Sequence, residues 1–175
     1  MIVRMRVRNG VRRLGREDGS SMIELAIVLP VLLILFAGAA ELGRLFYTYT
    51  TLAKATKVGA RYLSTTKDAT STDPPTQNRE ILRAQNLVVY GCPDRDPLLD
   101  LACSTKTAIV AGLDPATNVN VQIGAPDPNG IRYVTVSIQS YSYQKGVFNL
   151  ASMIGRPDST FYFSLSPATT MRYMP

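Results

Sequence analysis

The chain has 175 residues, no histidine and a formal net charge of +6 at pH 7. This length allows one folded domain and a membrane segment, but hardly two independent cores. The absence of histidine excludes imidazole bases and histidine-ligated metal sites. From residue 65 onward the basic and acidic side chains are equal in number, which argues against a nucleic-acid-binding face on the folded domain.

An arginine-rich leader occupies residues 1–19. Its six arginines are opposed only by Glu17 and Asp18, and arginines directly before an apolar run hold that flank in the cytoplasm. We therefore expect a cytoplasmic leader and an extracytoplasmic remainder.

An uncharged segment follows at residues 25–40 and is apolar on every side, so it needs lipid or identical helices as neighbours. A hydrocarbon core of about 30 Å requires a longer span, about residues 22–43. This span includes Glu24 and Glu41, and carboxylates at membrane depth are candidate functional residues because their burial is costly. Glu41 can reach water or Arg44 at the outer interface, whereas Glu24 is harder to satisfy.

Apolar residues recur at helical spacing beyond the span as far as Tyr62, which predicts one helix over residues 20–64 with Pro30 as a candidate kink. Residues 65–75 are rich in turn formers and are predicted to be a linker. Asp73 and the following proline then cap a second helix, which Gly91 ends.

Two cysteines, Cys92 and Cys103, lie in the part predicted to be exported. An oxidising compartment favours one disulfide between them. Such a short loop would stabilise the domain by roughly 2 to 3 kcal/mol. Two unpaired buried thiols are the alternative.

The C-terminal half changes to a two-residue period. Alternating apolar residues at 119–123 and 134–138, separated by turn formers at 124–130, predict a β-hairpin. A third strand is predicted at 161–165, with the tail at 169–173 extending it. The extracytoplasmic domain, residues 76–175, is therefore predicted to be α+β with an antiparallel sheet. Four tyrosines near these strands are interpreted as half-buried core residues, with a partner-binding face as the alternative: Tyr133, Tyr141, Tyr143 and Tyr162.

A short motif stands where the leader meets the apolar helix. Gly19 is followed at once by Ser20 and, four residues after that, by Glu24. This arrangement resembles a class of prepilin processing sites, in which a membrane aspartyl peptidase cuts after the glycine. Glu24 lies one helical turn from Ser20, close enough to compensate the new amine in its own chain or in a neighbour.

The wider stretch 19–64 resembles the TadE and TadG family of tight-adherence (Flp) pilus systems. The sequence Glu-Leu-Ala-Ile-Val-Leu-Pro at 24–30 and Gly-Ala-Arg-Tyr at 59–62 carry most of the resemblance, and residues 134–138 and 170–173 are similar to the C-terminal part of such proteins. The major Flp pilin is much shorter and follows the glutamate with tyrosine, whereas Leu25 stands here. The resemblance therefore implies a minor pilin or pseudopilin with a pilin-like fold.

This resemblance implies specific partners: a prepilin peptidase that cuts between Gly19 and Ser20, other pilins and the Flp assembly machinery, and membrane lipid. It implies that Glu24 aligns subunits. No phosphate-binding loop, zinc-ligand spacing or Gly-x-Ser-x-Gly motif is present, so we expect no enzyme activity, cofactor, metal or small-molecule substrate.

An ordinary secretory signal or signal anchor is the competing interpretation. Residues 12–16 can serve as its basic region, 25–36 as its apolar region and 37–39 as its small-residue cleavage site. Acidic residues in and beside that region, Glu17, Asp18 and Glu24, argue against it.

Overall fold

The computed structural model describes residues 17–95, 101–143 and 163–174. The chain forms two compact units, Met1–Ala40 and Glu41–Pro175. A long N-terminal apolar helix, a second helix and an antiparallel sheet are all present. The predicted α+β, pilin-like fold is therefore confirmed.

Helix α1 covers Glu17–Thr65, so it includes the whole of the predicted helix, residues 20–64, and ends one residue after it. The large apolar side chains from Met22 to Phe36 are each 43–76% exposed. Pro30 lies inside the helix, and the helix continues on both sides of it although proline lacks the N–H of the usual hydrogen bond.

Helix α2 covers Pro74–Tyr90 and ends, as predicted, at Gly91, whose φ of 72° is left-handed. Asp73 stands at the N-cap, but its carboxylate accepts from the Thr76 hydroxyl instead of a backbone N–H. The segment expected to be a linker, residues 65–75, contains a 3-10 helix at Lys67–Thr70 with Ala69 buried. This segment is therefore part of the packed unit.

Two one-turn helices were not predicted: α3, Leu101–Ser104, and α4, Pro115–Asn118. Asp114 caps α4 by accepting from the N–H groups of Ala116 and Thr117. The hydrogen bond from Thr117 is the main reason that the pKa of Asp114 is lowered. An aspartate before proline is a recognisable helix start signal in the sequence.

Three strands form the main antiparallel sheet in the order β1, Val119–Ile123, then β2, Tyr133–Ile138, then β5, Ala168–Arg172. The predicted hairpin is confirmed, with Val121 opposite Val136. Apolar positions on β1 and β2 therefore share one face.

A strand forms near each predicted position, but the prediction that the tail extends the third strand is wrong, because the two segments belong to different sheets. β4, Phe163–Leu165, pairs with an unpredicted strand, β3, Tyr141–Tyr143, in a separate two-stranded sheet. The tail instead pairs with β2. The chain changes sheets at buried Pro167, whose carbonyl accepts from the Ile138 N–H, because proline cannot donate to a strand ladder. Residues 161 and 162 of the predicted strand lie outside the described residues.

The core of the folded unit forms where α1, α2 and β2 meet. A Cβ on Gly59 of α1 would stand 2.5 Å from Val88 Cγ2, 3.4 Å from the Ala84 carbonyl oxygen and 3.7 Å from Val136 Cγ1. Val88 and Val136 are fully buried, so there is no space into which they could retreat. Glycine is therefore required at this crossing by close packing.

We expect Gly59→Ala to destabilise the folded unit by about 1 to 3 kcal/mol, because the added methyl group overpacks a filled core. Thermal and urea unfolding of the detergent-solubilised full chain, followed by circular dichroism, measures the change. Gly43→Ala is the matched control on the same helix, since nothing lies within 4 Å of its Cβ position. Equal unfolding midpoints for both variants would contradict the packing argument.

Candidate functional site

The first turns of α1 hold the three residues of the predicted processing and assembly site. Gly19 lies in the first turn of α1, exposed, with nothing within 4 Å of its Cβ position. The packing of the described residues therefore does not require glycine here. Ser20 follows it and is also exposed.

Glu24 lies four residues after Ser20 on the same helix. This spacing corresponds to about 6 Å along the axis, one turn, on one face. The Glu24 side chain is exposed among exposed apolar neighbours. In the described ranges the ion pairs involve Arg79, Glu80, Arg83 and Asp94, and none involves Glu24.

The part of α1 from Gly19 to Thr65 contains an 18-residue stretch that is apolar enough to cross a membrane, and 6% of that stretch is buried. An apolar surface of this extent is not stable in water. The segment therefore requires lipid or another apolar helix around it.

The other end of α1 carries a buried polar network. The Tyr62 hydroxyl donates to Glu80 Oε2 on α2 at 2.5 Å, and Glu80 is 2% exposed. Arg83 donates to Glu80 Oε1 and to Asp94 Oδ1, each at 2.9 Å. Since a buried carboxylate is costly unless it is paired, these donors make the burial of Glu80 tolerable.

The same network reaches the cysteine loop. Cys92 and Cys103 form a disulfide with their Cα atoms 6.1 Å apart. Arg95 stacks over the Tyr90 ring at 3.7 Å from its centroid and donates to the Ser104 carbonyl at 2.7 Å. Side-chain contacts thus fix both ends of this loop to α2.

The C-terminal strand closes on the end of α1. The Tyr173 hydroxyl lies 3.1 Å from the Thr66 carbonyl and 2.9 Å from the Lys67 carbonyl, and it accepts from Thr70 at 3.0 Å. The Met174 N–H donates to the Ser64 carbonyl at 2.8 Å. The Met174 bond satisfies a carbonyl in the last turn of α1, where carbonyls have no N–H donor within the helix.

Most of helix α1 coincides with a known protein family. Residues 19–61 match the family model described as TadE-like protein. The chain carries a TadE-like domain. Neither the curated proteins nor the solved structures include a match to the chain.

The TadE-like domain begins at Gly19, the residue of the predicted cleavage motif, and includes Gly59, the residue at the helix crossing. The resemblance noted for residues 134–138 and 170–173 lies beyond the match. The TadE-like domain and the apolar helix support a membrane-anchored protein associated with Tad pili.

The membrane half of the TadE-like domain is visible in the sequence, whereas the contacts at its other end are not. Gly59 packs against Val88 and Tyr62 bonds Glu80, and both partners lie on a different helix, so helical spacing within α1 does not reveal them. The pair Glu80 and Arg83 has the spacing of a helical ion pair, and this spacing is the one signal in the sequence that points to the network.

Of the four tyrosines, Tyr141 is buried, Tyr143 half-buried and Tyr133 exposed, while Tyr162 lies outside the described residues. Within the described ranges, no group of acidic or cysteine side chains could hold a metal ion.

We expect Tyr62→Phe to destabilise the folded unit by about 1 to 3 kcal/mol, because it removes a donor from the buried Glu80 carboxylate. The pKa of Tyr62 is raised to about 12, mainly by burial and secondly by the hydrogen bond to Glu80. A raised folded-state pKa adds stability that is complete below the unfolded value of about 10 and is lost as pH rises through 12. Tyr62→Phe should therefore flatten the loss of stability between these pH values.

Urea unfolding midpoints at pH 7 to 12 measure this effect in the full chain. Tyr133→Phe is the control, since Tyr133 is 44% exposed. If the stability of Tyr62→Phe fell with pH between 10 and 12 as steeply as that of the unsubstituted chain, Tyr62 would not be the group whose titration causes this loss.

Proposed function

We propose that the chain is a TadE-like minor pilin or pseudopilin, a non-catalytic structural component of Flp pilus assembly. The observation that carries this proposal is the TadE-like match, which starts at Gly19 on a helix whose apolar side chains are exposed. Its partners are a prepilin peptidase, other pilins or pseudopilins with the assembly machinery, and membrane lipid.

The arginine-rich leader stays in the cytoplasm and the α+β domain lies outside it. Two features support this orientation. The arginines precede the apolar helix, as the positive-inside rule requires. The disulfide between Cys92 and Cys103 suits an oxidising, extracytoplasmic compartment.

A prepilin peptidase removes residues 1–19 by cutting between Gly19 and Ser20. Both residues are exposed, so a peptidase can reach the bond between them. Because no neighbouring atom explains the glycine, a narrow peptidase groove is a consistent reason for it.

Glu24 then aligns subunits in the assembly. Cleavage gives Ser20 a free ammonium group, and an unpaired carboxylate in lipid is costly. A neighbouring subunit that places its Ser20 amine against Glu24 removes this cost and sets the stagger between two helices. The exposed apolar surface from Met22 to Phe36 supplies the packing area.

The mass of the membrane-extracted protein tests the processing step. We expect a chain beginning at Ser20 in cells that have the pilus apparatus, and a full-length chain when the peptidase is deleted. Replacing Gly19 with valine should also leave the chain full length, because a branched side chain blocks the groove.

A chain beginning at Ala40 would instead identify a secretory signal, and an unprocessed chain in the complete system would identify an anchor. Either result would contradict the pilin assignment. Gly43→Val is the matched control, since its Cβ position is as open as that of Gly19 and it lies away from the scissile bond.

Glu24→Gln tests the assembly step separately. We expect normal cleavage but a loss of surface pili of at least about tenfold, because each subunit would lose the charge pair that sets its stagger. Electron microscopy of surface filaments in a complemented strain measures it. Glu41→Gln, at the other end of the same span, is the control and should retain pili. Normal piliation with Glu24→Gln would remove Glu24 from the mechanism.

A further inference from the structure

The aromatic side chains of the folded unit are unevenly distributed. Among its described residues, five aromatic side chains are more than 40% exposed: Phe46 at 62%, Tyr47 at 74%, Tyr49 at 44%, Tyr133 at 44% and Phe163 at 53%. Three of these lie on α1 shortly after residue 43, where the predicted span ends. Phe46 and Tyr47 come about 5 to 6 Å beyond that point, within the headgroup layer of about 5 to 8 Å.

A hydrogen bond places the two-stranded sheet at this same level. The Tyr143 hydroxyl of β3 donates to Glu41 Oε1 at 3.1 Å. Burial, followed by this hydrogen bond, raises the pKa of Tyr143, so the hydroxyl remains a donor at neutral pH. Because Glu41 lies in the outer end of the span, β3 is held beside the point where α1 leaves the membrane.

Phe163 extends this contact on β4. It lies directly opposite Tyr143, and Tyr141 lies opposite Leu165. The side chains of these two pairs share one face of the sheet, since residues two apart on a strand point the same way. Tyr141 and Leu165 are buried in the core while Phe163 is 53% exposed, so an apolar face runs outward from the core and ends uncovered beside Glu41.

We propose that Phe46, Tyr47 and Phe163, the membrane-proximal aromatic surface, insert into the headgroup layer of the bilayer that α1 crosses. Aromatic rings are enriched at that depth because they have an apolar body and a polarisable or polar edge. Arg44 is exposed one turn from Glu41 and has the length to reach lipid phosphates. The two-stranded sheet then forms a second membrane contact, so the folded unit touches the membrane through both α1 and β4.

The proposal rests on α1 crossing the membrane, but it is independent of cleavage and of any pilus role. Tyr133 supplies the contrast. It pairs with Arg172, next to the Tyr173 that bonds the backbone at the end of α1. That end is 24 residues beyond Glu41, or about 36 Å along the helix. Tyr133 is therefore exposed but remote from the membrane.

The chain contains no tryptophan, so a single introduced indole reports its surroundings without background. Phe163→Trp, Tyr47→Trp and Tyr133→Trp are prepared in the full chain and placed in vesicles that contain brominated phosphatidylcholine. We expect bromine to quench the fluorescence of the Phe163→Trp and Tyr47→Trp variants to a similar extent, at least threefold more than that of Tyr133→Trp. Acrylamide, a quencher in water, should act most strongly on the Tyr133→Trp variant.

Quenching of the Phe163→Trp variant by acrylamide alone would overturn the proposal, because β4 would then lie in water. Protection of this variant from both quenchers would also overturn it, because a protein surface would then cover the site. No bromine quenching of the Tyr47→Trp variant would overturn the membrane span as well. Hydroxyl-radical footprinting of the unsubstituted chain in vesicles supplies a second readout, with Phe163 expected to be oxidised at least threefold less than Tyr133.

Discussion

The folded unit depends on the close approach of α1 and α2 at Gly59. A side chain there would overlap Val88, which is fully buried and packs in the same core as Val136 of β2. Because protein interiors are packed as densely as crystals, this contact fixes the separation of the two helices and their distance from the sheet. The hydrogen bond from Tyr62 to Glu80 lies one turn further along, and its geometry depends on the same separation.

The helix of the TadE-like domain thus has two parts with different requirements, one exposed and apolar and the other packed in the core of the folded unit. Its first part has apolar side chains with no protein to cover them and a carboxylate, Glu24, with no partner in the described chain. Its last part meets a core that accepts only glycine at position 59. The first part is satisfied by lipid or other helices, whereas the last is satisfied within the chain. A helix of this kind couples a membrane segment directly to a folded domain.

Polar contacts determine where the outer elements attach. Tyr173 fastens β5 to the end of α1, Arg83 fastens the cysteine loop to α2, and Tyr143 fastens β3 to Glu41. Each is a side-chain bond between separate elements of the fold, and each bond involves a tyrosine hydroxyl or a guanidinium group. Such groups retain a polar tip when the rest of the side chain is buried, which suits them to edges between core and solvent. The Tyr143 bond is the one that holds the small sheet against α1 at Glu41.

The sequence by itself determined the local features. Periodicity and turn chemistry, which act over a few residues, predict the all-round apolar segment, the α2 boundaries at Pro74 and Gly91, and the hairpin of residues 119–123 and 134–138. The motif at Gly19 and Glu24 was also visible in the sequence, because it is recognised by its place between the arginine-rich leader and the apolar helix. Only the tertiary structure decided that Gly59 is required by Val88, that Glu80 is buried under Tyr62, and that β4 leaves the main sheet to pair with β3. These contacts join residues about 20 to 30 positions apart, and their energies depend on packing and burial that no local pattern encodes.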